Sequence, residues 1–166
     1  MAVTGKIDRK YMAHYIDAGS LCGGLTPKYE RLGKDLEEYN VELNPDTETS
    51  KNILGESTFK HNGYEVSSDA DPFYADTTSD LFTALQKIVD GRLKDDNLKT
   101  KAVEVHLWTE ATAGKYEAYQ QDCYVVPTSY GGDTSGYQIP FTVNYVGERV
   151  KGKFDISSCT FTADSE

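Results

Sequence analysis

A mainly β fold is predicted, a sandwich or barrel of two packed, largely antiparallel sheets with one flanking α-helix. Three observations carry this expectation. Several segments in the second half of the chain alternate apolar and polar residues with the period of a strand. One stretch alone, Thr78 to Val89, carries a continuous helical stripe. Parallel strands need crossover connections, and no second helix is there to supply them.

Taken in order, Tyr11 to Asp17 is apolar on both sides, as expected of a strand covered on both faces. Gly19 to Pro27 reads as a loop, with Gly23-Gly24 and Thr26-Pro27 as breakers. From Glu37 to Leu43 the chain alternates again. Tyr39, Val41 and Leu43 face one way, and Glu38, Asn40 and Glu42 the other. Asn44-Pro45-Asp46 is a turn signal, followed by a polar segment that ends at Ile53-Leu54-Gly55. Asn62-Gly63 suits a tight turn or a bulge.

The helix is expected over about residues 79–90. Leu81, Phe82, Leu85, Ile88 and Val89 form its apolar stripe; Thr78, Ser79 or Asp80 can cap its start, and Asp90-Gly91 can stop it. This stripe reads as core packing, since nothing on it can do chemistry. Beyond a charged loop, Val103, Val105 and Leu107 alternate with Glu104, His106 and Trp108. Tyr116 to Val126 is a long Tyr-rich strand, and Gly131 to Thr134 a flexible loop. Tyr137 to Tyr145 and Val150 to Ile156 are two further strands, with Gly147-Glu148 expected to turn the chain between them as a hairpin. Cys159 to Thr162 reads as a final edge strand. The whole is read as one domain over 1–166, with a flexible amino-terminal arm (about 1–10) and a polar tail (about 163–166).

Charge narrows the function. The chain has 166 residues and a formal net charge of −10. Residues 1–34 hold six basic and three acidic groups, whereas residues 35–90 hold three basic and 13 acidic. Such an acidic chain is unsuited to gripping nucleic acid by phosphate neutralisation. Unlike patches at its two ends allow copies to associate head to tail. The three cysteines are odd in number and far apart, which argues against a disulfide framework or a zinc site and fits a reducing compartment. MAVTGKIDRK does not read as a leader, and no apolar run approaches the length of a membrane span.

No catalytic, cofactor or metal motif assembles. His14 lies in a covered strand and reads as a core imidazole, while His61 sits beside a turn. His106 shares a face with Glu104 and Trp108, a pattern found in sites but more often on polar exteriors. Asp69/Asp71 and Asp95/Asp96 lack the glycine and closing glutamate of a calcium loop. A non-enzymatic role is therefore expected. Trp108 can either be covered by the helix or a second sheet, or serve as an aromatic anchor between proteins.

Four stretches, taken together, resemble the major tail tube proteins of long-tailed, non-contractile bacteriophages and of prophages in Gram-positive bacteria. They are Tyr29 to Leu36, Lys51 to Glu56, Asp71-Pro72-Phe73-Tyr74 leading into the helix, and Ile139 to Asp155. The resemblance implies two packed sheets with a flanking helix, and stacked, hexameric rings forming a tube through which DNA passes without specific binding. It implies a virion protein, made in the bacterial host cytoplasm. Its partners would be copies of itself and the tape-measure, tail terminator and tail initiator proteins. On that footing Glu38 and Glu42 are expected to face the lumen or its rim, and Trp108 a subunit contact. The mobile 44–56 segment, both termini and the Gly131–Gly136 loop are expected to meet neighbouring rings. Isolated protein should be a monomer or weak oligomer when dilute and form tubes when concentrated. The alternatives are a ring-forming tube protein of a secretion or bacteriocin-like particle and a monomeric β-sandwich binding a small ligand or sugar through Tyr and Trp108. A weaker third is an enzyme built on His106 and Glu104.

Overall fold

The architecture, described for residues 2–109 and 111–165 of a computed structural model, is built on antiparallel strand pairing throughout. In chain order the elements are β1 (Met12–Asp17), β2 (Tyr29–Arg31), β3 (Val41–Glu42), β4 (Pro45–Lys51), β5 (Ser57–Tyr64), β6 (Ser67–Ala70) and α1 (Asp80–Gly91). There follow β7 (Lys99–His106), β8 (Lys115–Pro127), β9 (Gly131–Asp133), β10 (Gly136–Gln138), β11 (Phe141–Asp155) and β12 (Thr160–Ala163). The main sheet has the order β2-β1-β7-β8-β11-β6-β3, with β12 added beside β11. β4-β5 and β9-β10 are separate two-stranded hairpins. The layers expected of a sandwich or barrel are thus parts of one curled sheet.

Two apolar clusters lie on opposite faces of that sheet, which explains why β1 is buried on both sides. Ile16, Ala102, Cys123, Val125, Phe141 and Val143 face α1. Ala13, Tyr15, Val103, Val105, Ala118 and Phe154 face a second cluster. There the sheet curls until the Tyr15 ring of β1 reaches the Phe154 ring of β11, with centroids 4.5 Å apart. The helix lies on its wall through Leu81, Leu85, Ile88 and Val89, all buried. Four such side chains contribute about 6–12 kcal/mol before ordering entropy is subtracted. The Ser79 hydroxyl accepts from the Phe82 amide at 3.1 Å and donates to the Glu30 carboxylate at 2.8 Å, tying the helix start to β2. The helix stops one residue later than expected, at Arg92, which is left-handed (φ 48°, ψ 44°).

The turn expected at Gly147-Glu148 is absent, because β11 runs through it. β8 pairs with β11 from Phe141↔Pro127 to Asp155↔Lys115, with a register shift between Val146 and Val150. Gly147 absorbs the shift at φ 71°, a conformation open to glycine. Odd residues of β11 face the helix side at its start, and even residues face the second cluster at its end. That change of buried parity, arising where one strand crosses from one core to the other, imitates two strands. At Gly152 a Cβ would collide with the Thr162 carbonyl and the Phe161 ring, so β12 can approach only a glycine there.

Other expectations change in extent. The 37–43 strand shortens to Val41–Glu42, and the Gly131 loop contains β9. The polar segment after Pro45 is itself a strand, β4.

Candidate assembly surface

The loop after β1 fixes the frame on which the surface is built. The Asp17 side chain is buried and accepts the amides of Gly19 (3.0 Å), Ser20 (3.2 Å) and Lys28 (2.8 Å) and the Ser20 hydroxyl (2.6 Å). The Thr100 hydroxyl donates to its backbone carbonyl. One aspartate thereby satisfies a loop that a small sheet edge cannot.

From the opposite edge projects the β4–β5 hairpin. Every residue of β4 is exposed, as is every residue of β5 except Gly63. The two strands pair with each other, and neither packs substantially on another element. The turn is an Asx turn: the Asn52 carboxamide oxygen accepts the amides of Leu54 (2.9 Å) and Glu56 (3.0 Å), and Gly55 takes φ 79°. That turn presents Ile53 at 102% exposure and Leu54 at 76%, with Phe59 at 66% further back. Seven residues of strand carry the tip about 20 Å from its root. At the root, the Asn44 carboxamide donates to the Glu65 carbonyl (2.9 Å), so the two ends of the arm sit side by side.

The residues singled out from the sequence fall in three places. Trp108 lies half-buried just past β7, its ring stacked on His106 with centroids 4.3 Å apart, and its carbonyl accepts the Val3 amide at 3.0 Å. Neither α1 nor a second sheet covers it; it lines a shallow cleft with Ile7, Met12, Tyr39 and Glu104. Glu38 is exposed, accepts from the Asn40 carboxamide at 2.5 Å, and lines a neighbouring cleft that shares Arg9, Met12, His14 and Tyr39 with the first. Glu42 is exposed on the edge strand β3, opposite Ser67 and apart from both clefts. The alternation of Glu38, Asn40 and Glu42 outward holds, with Tyr39 buried and Leu43 left exposed.

Around Trp108 the charges are locked together. The Glu104 carboxylate meets His106 Nε2 at 2.7 Å and an Arg149 guanidinium nitrogen at 3.1 Å. The Arg149 guanidinium also lies 4.2 Å over the Tyr119 ring. Burial pushes the Glu104 carboxyl up, but the His106 hydrogen bond and the Arg149 charge outweigh it and hold it below the ordinary range. Behind this patch His14 is 8% exposed and packs on Tyr39 at 4.7 Å. Burial, reinforced by Arg9, lowers its pKa to about 4, so the core-imidazole reading stands. His106, held between Trp108 and Tyr119 and bonded to Glu104, forms a rigid platform. Among the described residues no three His, Cys, Asp or Glu side chains group as metal ligands, and no helix is long and apolar enough to cross a membrane.

The cleft beside Glu38 has a volume of about 490 Å³. Its floor is Met12, Leu32, Leu36 and Tyr39, and its walls carry Arg9, Lys10, Arg31 and Lys34 against Glu37 and Glu38. Arg9 donates to the carbonyls of Met12 (2.7 Å) and Tyr39 (2.9 Å), and Arg31 to that of Lys10 (3.2 Å). Sequence reasoning placed an inter-ring contact in the 44–56 segment but missed that it pairs with Ser57–Tyr64 as one arm, and it missed this cleft. Asn52 followed by Gly55, between two polar runs, was the available signal for the hairpin turn.

No family model matches the sequence, and no curated protein matches it. Among solved structures, the fold is similar to a chain of an extracellular contractile injection system, the PVC sheath/tube terminator in its extended state, determined by cryo-EM. The two are 10% identical, the match covers 90% of this chain and 99% of that chain, and the TM-score is 0.49.

Proposed function

We propose that this chain is a structural subunit that assembles with copies of itself into stacked rings, hexameric by the resemblance, forming the tail tube of a phage or phage-like particle. The observation that carries the proposal is the β4–β5 arm. A hairpin held away from its own body, with Ile53 and Leu54 bare at its tip, has its apolar surface placed for another molecule. Short edge strands at β2, β3 and β12 also leave backbone groups open to pairing across subunits. In this reading the role is non-catalytic, DNA passes through the lumen, and Glu38 and Glu42 present carboxylates to the lumen or its rim. Trp108 and its rigid platform form a subunit contact. The tape-measure, terminator and initiator proteins meet the tube at its axis and two ends, and the assembly is part of a virion tail. A tube of a secretion or bacteriocin-like particle would use the same surfaces.

Negative-stain microscopy of concentrated protein tests this. Tubes of stacked rings are the expected images. Closed rings that never stack would replace the tube subunit by a terminator, the role named for the injection-system chain. Isolated particles at every concentration would favour a monomeric binding module.

A further inference from the structure

We propose that the basic-walled cleft between β1 and the 31–39 segment is the socket for the arm tip of a second copy, receiving its Ile53 and Leu54 side chains. The inference rests on the self-assembly reading and adds the surface that the arm meets. Three features select this cleft. Its floor is apolar and its volume, about 490 Å³, accommodates two aliphatic side chains. Arg9, Lys10 and Arg31 have no carboxylate within ion-pair distance among the described residues, so their charge is open to a partner. The arm carries a single excess negative charge, with Asp46, Glu48 and Glu56 against Lys51 and Lys60, and Glu56 is the carboxylate beside the tip. The apolar groove past the helix end, lined by Ile88, Val89 and Leu93, is less suited. It offers one cation, Arg92, where the proposed socket offers four, Arg9, Lys10, Arg31 and Lys34. The tyrosine-lined cleft beside the arm root holds Arg149, which is paired with Glu104.

The test is photo-crosslinking of the full-length chain carrying Leu54→p-benzoylphenylalanine, in a concentrated mixture of isotope-labelled and unlabelled copies. Mass spectrometry should find adducts between copies joining position 54 to residues 9–14 or 31–39. The double substitution K10E/R31E, at exposed positions, should lower that adduct roughly tenfold while leaving the circular dichroism spectrum unchanged. Adducts between copies that map elsewhere would overturn the socket and leave self-assembly standing. Absence of both adducts and higher-order species at all concentrations would overturn the two together.

Discussion

Replacing both tip residues, Ile53→Ser with Leu54→Ser, separates assembly from folding. Both side chains are bare in the isolated chain, so unfolding free energy should change by no more than about 0.5 kcal/mol. In an assembly each aliphatic side chain, fully buried, would contribute about 1.5–3 kcal/mol. With roughly half burial in an open cleft, the pair contributes about 1.5–3 kcal/mol per contact. At about 1.4 kcal/mol per decade, the concentration at which assembly begins should rise roughly 10- to 100-fold. Urea titration followed by Trp108 fluorescence reads the first quantity, and light scattering across a concentration series reads the second. An unchanged assembly threshold would refute the role of the tip. A stability loss of about 2 kcal/mol would refute the exposed placement of the arm.

Four further outcomes follow from named contacts. Asp17→Ala strips three backbone amides of their acceptor and should cost about 3–5 kcal/mol, whereas Asp17→Asn retains one acceptor oxygen and should cost about half as much; urea midpoints at constant m-value compare them. His14 is neutral in the fold with a pKa of about 4 against 6.5 unfolded, so the unfolded chain binds the extra proton first. Stability is therefore full above pH 6.5 and declines by about 3 kcal/mol as pH falls towards 4, and His14→Gln should flatten that part of the stability profile. Excising residues 45–64 and joining Asn44 to Glu65 through two glycines should leave a folded body that no longer assembles, as checked by circular dichroism and sedimentation, because the arm's ends are adjacent and its strands pair only with each other. Deleting 44–56 alone should be worse behaved, since it removes β4 and leaves β5 unpaired. Glu42→Lys, at a position apart from the socket, should impair DNA delivery while tubes still form, and normal infectivity would remove Glu42 from the lumen.

Much of the fold was legible because local pattern and burial agree in it. The α1 stripe, the two-sided burial of β1 and the alternation of Val103, Val105 and Leu107 against Glu104, His106 and Trp108 across the end of β7 each follow from a local period matched to the burial around it. Legibility failed where pattern depends on curvature. In β11 the buried parity changes because the curled sheet has cores on opposite faces, and no single-strand template contains that change. It failed again in β4–β5, whose residues lack both a buried face and an apolar alternation, so that only pairing and an Asx turn define the strands. For the assembly surface, Trp108 and the outward carboxylates were visible as residue types. The basic cleft was not, because Arg9 and Lys10 are brought to Arg31 and Lys34 by strand order rather than by sequence spacing.

The central claim is that copies of this chain bind one another through surfaces left bare in the monomer. Sedimentation velocity of the purified, full-length protein over a thousandfold concentration range, roughly micromolar to millimolar, tests it most directly. Growth from a slow single species to rings and long, rapidly sedimenting tubes is the expected result. A single monomer boundary at every concentration would contradict it.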